Sequence, residues 1–206
     1  KRKSPSKPKI NLEAKVNRII RDYENEGANA LSILTDQKFF GGNINDIIES
    51  REITNLPILR KEFIIDEFQV VESKAIGADA ILLIAACLDK KSIRNLSICA
   101  KSIGLDVLVE VHDKNELNLC FHETVDIIGI NNRNLKNFKV DLNQSKILSK
   151  LIPNEYAKIS ESGISNSSEI LLLKDYGFDG FLIGEKFMSK SNPGNELSKM
   201  MKDLNK

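Results

Sequence analysis

Seven short, uninterrupted apolar runs recur along this chain, with amphipathic stretches between them. They cover residues 30–34 (ALSIL), 57–59 leading into Arg60 and Lys61 (PILRK), 80–86 (AILLIAA) and 107–111 (VLVEV). The others are 127–131 (IIGIN), 157–160 (AKIS) and 181–184 (FLIG). Strands that are apolar on both faces belong in a sheet covered on both sides, as parallel sheets under helices are. Run centres lie about 20 to 31 residues apart, room for one crossover helix in each interval. Helices are expected over residues 12–26, 44–50, 66–76, 90–103, 114–121, 142–151, 167–176 and 194–204. Asp66, Asp113 and Asn166 sit where N-caps belong, and Gly27, Gly77, Gly104 and Gly177 where helices end.

This order predicts an α/β chain of the (β/α)8 TIM-barrel class, with residues 1–206 forming a single domain. At 206 residues the chain lies near the lower limit of about 200 for that fold. Seven strands and eight helices, opening on a helix, leave the series one strand short. The first residues, KRKSPS, have loop chemistry with no strand before them. The expectation is that most of strand 1 is missing by N-terminal truncation, and that Lys1 stands at its end. A doubly wound open sheet is the competing architecture, but it normally carries a glycine-rich dinucleotide loop after its first strand, which this sequence lacks.

With 30 Lys plus Arg against 29 Asp plus Glu, the net charge is +1, which offers no basic stripe for a nucleic acid. No apolar stretch is long enough to span a membrane, and no signal peptide opens the sequence. Cys87, Cys99 and Cys120 match no common metal spacing and are expected to be reduced, buried and structural, in a cytosolic protein.

In a β/α barrel the active site forms at the C-terminal ends of the strands. The second run ends in Lys61, the fourth holds Glu110, and the fifth ends in Asn131 before Asn132 and Arg133. The sixth ends in Glu161, Ser162 and Gly163, and the seventh in Gly184 and Glu185. Glu110 lies between Val109 and Val111, so strand alternation turns it into the barrel mouth. A buried carboxylate needs a partner, and Lys61 is the natural one. Each residue also has a plainer reading: Lys61 as an exposed lysine at a strand exit, Glu110 as half of a structural ion pair, Asn131 as a turn residue. The glycines at the last two ends let backbone N–H groups approach an anion, where this fold commonly binds phosphate beside a short extra helix.

Taken together, the segments KRKSPSK, ALSILTDQKFFGG, LPILRKEFIIDEFQVVESKAIGADAILLIAACL, LDVLVEVHD, IIGINNRNLKNFKVDL, SESGIS and FLIGEKFMSKSNPG resemble the indole-3-glycerol-phosphate synthase family of tryptophan biosynthesis. The resemblance covers nearly the whole chain. It implies a carbon–carbon lyase without cofactor or metal. The reaction converts 1-(2-carboxyphenylamino)-1-deoxyribulose 5-phosphate to indole-3-glycerol phosphate, releasing CO2 and water. It also implies that Lys61 is a general acid at the substrate carbonyl, that Glu110 is the acid–base carboxylate of dehydration, and that Lys1 contacts the substrate carboxylate. Asn131 and Glu161 match residues that hold substrate hydroxyls and the catalytic lysines. Ser162, Gly163, Gly184 and Glu185 match the phosphate-binding ends, and Ser4 lies in a loop that covers the substrate. Phe39, Phe40 and Phe63 are candidate walls for the aromatic ring, and His112 a capping or supporting residue near the mouth.

The family pattern differs at three places. Its strand-one glutamate and N-terminal helical extension lie outside this sequence, Pro8 replaces the usual glycine, so that the covering loop should bend differently, and residues 9–15 exceed the usual passage to the first helix. The expected partner is a small phosphorylated substrate, with no nucleic acid or membrane. The chain is expected to be monomeric and cytoplasmic, with a phosphoribosylanthranilate isomerase left open as an associated or fused neighbour. Competing readings are another phosphosugar barrel, either an isomerase or a Schiff-base aldolase using Lys61 as nucleophile, and an inactive barrel fragment.

Overall fold

All seven apolar runs become strands, and each pairs in parallel with the next. The computed structural model describes all 206 residues. In chain order the elements are α1 (Val16–Asn25), β1 (Leu31–Leu34), α2 (Gln37–Phe40), α3 (Asn45–Arg51), β2 (Ile58–Lys61), α4 (Glu67–Ala75) and β3 (Ala80–Ile84). They continue with α5 (Lys90–Ser102), β4 (Asp106–Val111), α6 (Lys114–Leu117), β5 (Ile127–Asn131), α7 (Asn143–Leu148), β6 (Ala157–Glu161), α8 (Ser167–Lys174), β7 (Gly180–Leu182), α9 (Glu185–Met188) and α10 (Pro193–Leu204). The sheet runs β1 to β7 without a crossover and curves into a nearly closed barrel.

The expected caps form. Asp66 and Asn166 close capping boxes with Gln69 and Glu169, and Asp113 accepts from the N–H groups of Asn115 and Glu116. Several element bounds differ from the expectation, three of them as follows. The first helix starts at Val16, because Leu12 is exposed and its turn has no apolar face to bury. The expected helix over 114–121 stops at Leu117. Strand β3 stops at Ile84, and Ala85–Cys87 form a 3-10 turn at the barrel mouth. That turn corrects the reading of the cysteines. Only Cys120 is buried, Cys99 is half-buried, and Cys87 is exposed because it leaves the strand run.

Alternation along the strands divides the core. Ile81, Leu83, Val107, Val109, Val111, Ile128 and Ile130 face outward and join a cluster of 26 buried residues with the covering helices. Inside the barrel, Leu82, Ile84 and Leu108 form a small buried cluster lined by Leu59, Ile127 and Ile159. Most apolar burial therefore lies between sheet and helices, and the mouth can carry polar groups without emptying the main core.

Three aspartates tie successive strands at the opposite end. Asp79, Asp126 and Asp179 each directly precede a strand. They accept from N–H groups in the first two residues of the preceding strand, at Ile58 (2.8 Å), Val107 (2.9 Å) and Lys158 (2.8 Å). Val107 is fully buried, so Asp126→Ala strands its N–H. The expected cost is about 1–3 kcal/mol in a urea titration; a loss below about 0.5 kcal/mol, the scatter of a neutral surface change, would remove the clamp from the fold's account.

Candidate active site

The inward positions at the C-terminal ends of β2, β4, β5 and β6 are polar, and they meet. The Lys61 ammonium donates to Glu110 Oε2 and to Glu161 Oε2, each at 2.9 Å. Glu110 Oε1 accepts from the Asn131 amide at 3.0 Å. Register explains the convergence. Lys61, Glu110 and Glu161 come from the alternate strands β2, β4 and β6, the arrangement that builds one layer of a barrel interior, and Asn131, paired with Glu161 across β5–β6, stands between the last two. Glu110 and Glu161 are 5% and 2% exposed at their side chains, while Lys61 keeps 20% of its side chain open to the mouth.

Burial alone would lower the Lys61 pKa, but the two carboxylates outweigh it and hold the ammonium above its ordinary value. Burial would raise Glu110. Lys61, the Asn131 amide and His112 oppose it and hold that carboxyl at about 2. Glu161 is raised to about 7, by burial and by the like charge of Glu110, against the pull of Lys61. Two buried carboxylates around one lysine are thus pushed in opposite directions, the condition for separate proton roles.

Lys1 stands beside this layer, near the end of β7 on one side and the turn after β1 on the other. Its stem lies 4.0 Å from where a Gly184 Cβ would be, and its Nζ is 5.7 Å from the centre of the Phe40 ring. Burial lowers its pKa, as do Arg133 and Lys61, while Glu185 raises it. Phe40 stacks on Phe63 at 6.2 Å, and Phe39 meets Phe63 edge-on at 5.9 Å, so the three aromatic candidates form one cluster.

Ser4 is buried in a tight turn whose two ends exchange backbone hydrogen bonds, Ser4 N–H to Lys7 O (2.9 Å) and Lys7 N–H to Ser4 O (3.0 Å). That turn closes one residue before Pro8, so the missing proline N–H is not needed by it. The N–H groups of Arg2 and Lys3 donate to Phe40 O, and the Arg2 guanidinium grips Asp46 through both nitrogens.

Ser162 and Gly163 follow β6 with φ of +66° and +84°, a left-handed turn that aims successive N–H groups to one side. A Cβ on Gly163 would lie 2.1 Å from Val140 Cγ1, so only glycine fits under that loop. Gly184 precedes α9, the short extra helix expected there. Glu185 opens that helix, and its carboxylate is taken by Arg133 at 3.1 Å and Lys7 at 3.7 Å.

Four contributors escaped the sequence reading as site residues. Lys7 and Arg133 join the site through Glu185. Gly129 leaves room for Glu161: a Cβ there would lie 2.2 Å from Glu161 Oε1. Asn132 is buried and donates to Ser160 Oγ, Glu161 O and Ser162 O at 3.0–3.2 Å, while its Oδ1 accepts from Ser145. A glycine inside an apolar strand and a second asparagine after its end were the available signs.

A family profile described as indole-3-glycerol phosphate synthase matches residues 1–200. The chain belongs to the indole-3-glycerol phosphate synthase family. An indole-3-glycerol phosphate synthase of Bacteroides thetaiotaomicron is 46% identical over 204 residues, covering 99% of this chain and 78% of the relative. One from Thermoanaerobacter pseudethanolicus is 44% identical over 203 residues, covering 98% of this chain and 78% of its own. Among solved structures, a Pyrococcus furiosus tryptophan synthase α2β2 complex contains a chain that superposes with a TM-score of 0.70 at 15% identity, over 92% of this chain and 91% of that one. The tryptophan synthase α subunit of Legionella pneumophila gives 0.70 at 13% identity, over 92% and 86%. At such identities the superpositions speak for the barrel fold of this synthase-family chain and nothing further. No helix of the chain is long and apolar enough to cross a membrane.

Proposed function

We propose that this chain closes the indole ring of 1-(2-carboxyphenylamino)-1-deoxyribulose 5-phosphate, with loss of CO2 and water, to give indole-3-glycerol phosphate. The observation that carries the reading, beside family membership, is the Lys61 ammonium held between two buried carboxylates and open on one side to the barrel mouth. Ring closure needs a proton on the carbonyl oxygen as the aromatic carbon attacks, and Lys61 is the acid placed to give it. Decarboxylation restores the aromatic ring. Dehydration then needs a proton taken from nitrogen or carbon and one given to the leaving hydroxyl, and Glu110 is the carboxylate for that exchange. Glu161 and Asn131 hold Lys61 and Glu110 in position. Lys1 meets the substrate carboxylate, and the Phe39, Phe40 and Phe63 cluster lies against the anthranilate ring. The backbone N–H groups of Ser162, Gly163, Gly184 and Glu185 receive the phosphate, under the turn that carries Ser4. The Glu185 side chain tethers Arg133 and Lys7 rather than facing the phosphate itself.

A Schiff-base aldolase needs a neutral lysine, and the two carboxylates hold Lys61 in the opposite state. Nothing in the geometry favours that reading. We take the chain to be a cytoplasmic monomer acting on a small phosphorylated substrate, alone or beside a phosphoribosylanthranilate isomerase.

The test is direct assay with that substrate, following the fluorescence of the indole product. Borohydride added with a ketose phosphate should leave Lys61 unmodified; a covalent adduct there would overturn the synthase reading. Glu110→Gln should lower kcat by about 10²-fold or more with KM little changed. Near-normal turnover would take Glu110 out of the proton transfers.

A further inference from the structure

His112 directly follows β4, and its ring lies between two carboxylates. Its Nδ1 is 3.0 Å from Glu116 Oε2 on α6, and the same oxygen accepts the His112 backbone N–H at 2.7 Å. Its Nε2 is 3.4 Å from Glu110 Oε1, the oxygen that the Asn131 amide also contacts, and it is buried without a hydrogen bond of its own. The Gln144 amide holds the His112 carbonyl from the start of α7, so the backbone beneath the ring is pinned. The ring itself is 12% exposed.

The ionisable groups around it are few. Glu110 faces it from β4, Glu116 from α6 and Glu161 from β6, with Lys61 of β2 beyond the two strand carboxylates. The Cys87 thiol, in the turn after β3, feels Glu110 and Glu116. Burial lowers the His112 pKa, but the Glu116 hydrogen bond and the three surrounding carboxylates raise it above its ordinary value.

A neutral imidazole has one N–H, whereas both ring nitrogens here face carboxylate oxygens; only the imidazolium can donate to both. We propose that His112 is a positioning residue for Glu110: as the imidazolium, anchored by Glu116, its charge fixes Oε1 of Glu110 while Lys61 holds Oε2. This rests on the functional reading above. As pH rises through the His112 titration, the remaining proton stays with Glu116 on Nδ1, and a lone pair then faces Glu110 Oε1. Glu110 keeps the Lys61 and Asn131 donors but loses the positive charge facing Oε1, and the dehydration step slows.

The experiment combines a pH profile with a titration that does not depend on turnover. In the full chain, kcat should fall about three- to tenfold across the His112 titration, above pH ~6.5. His112→Gln, whose amide can donate in the place of Nε2 at any pH, should flatten that limb and retain most of the plateau. His112→Ala should lower kcat about tenfold with KM within about twofold, less than the about 10²-fold that a 1 Å misplacement costs. Imidazole 15N spectra resolve His112, with His122 as the second histidine and control. The His112 midpoint should drop in Glu110→Gln and in Glu116→Gln. Absence of turnover by the wild-type chain would overturn the functional reading. Turnover with an unmoved His112 midpoint in Glu110→Gln, or with superimposable profiles for wild type and His112→Gln, would overturn this inference alone.

Discussion

Lys61→Met should reduce turnover by about 10²-fold or more while leaving the barrel folded. Methionine keeps most of the lysine stem's volume, so the mouth does not collapse. Two things change together. The group proposed to protonate the carbonyl oxygen is gone, and Glu110 and Glu161, both buried, face each other without the cation between them. Removing one member of a buried ion pair typically costs about 3–5 kcal/mol. One of the two carboxylates should therefore take up a proton and remain neutral. A carboxyl whose folded-state pKa is raised binds more protons folded than unfolded, so its presence makes stability fall as pH rises from the ordinary carboxylate range towards that raised value. In the wild type Glu161 already has this character, with a folded value of about 7. In the variant the window should extend further upward. Urea titrations at pH 5 and pH 8 should show a larger deficit, relative to wild type, at pH 8. Equal deficits at both pH values would mean that the carboxylates are not coupled through Lys61, and near-normal turnover would remove Lys61 as the acid.

Gly129→Ala should be nearly as damaging although it adds a single carbon to a residue that touches no substrate. The new Cβ would lie 2.2 Å from Glu161 Oε1 and 3.1 Å from Leu108 Cδ2. Glu161 is 1% exposed, so its carboxylate cannot swing out into solvent without opening the mouth. Its carboxylate must rotate or shift, and its other oxygen is the one that holds Lys61. A displacement of about 1 Å at a positioned acid costs about 10²-fold in rate. Gly180→Ala is the matched control, because its Cβ would meet Ile159 Cγ1 at 3.4 Å, an ordinary contact. The expected result is a loss of about 10²-fold in kcat for Gly129→Ala, with Gly180→Ala close to wild type. Similar kcat values for the two variants would show that Glu161 has slack and does not place Lys61.

The barrel was legible because its cause is local and repeated. A strand covered on both sides leaves a continuous apolar run, and seven of them at crossover spacing leave few other folds. The inward direction of Glu110 was legible for the same reason, since alternation with Val109 and Val111 decides it. Arg60 shows the limit of that logic. It neighbours Lys61 in sequence and points the other way. It is 2% exposed on the outer face, where it is satisfied by Thr35, Gln69, Ser73 and Glu72. Nothing in PILRK says which of two adjacent cations serves the mouth and which ties a strand to its helix. Likewise, the Arg133 and Lys7 contacts to Glu185 join residues 52 and 178 positions away from it, and no local pattern contains them. Cys87 was misplaced because the apolar run continues for a few residues after the strand has ended.

By itself the sequence determined the order and direction of the strands, the capped helices between them, and which residue types arrive at the strand ends. Those are consequences of period and propensity, which act over a few residues. The tertiary structure alone decided the distances. It set one lysine equidistant from two carboxylates, left a glycine's worth of space behind Glu161, and turned His112 between Glu110 and Glu116. Proton affinities follow from burial and from charges a few ångströms apart, and these exist only once β2, β4, β5 and β6 stand side by side.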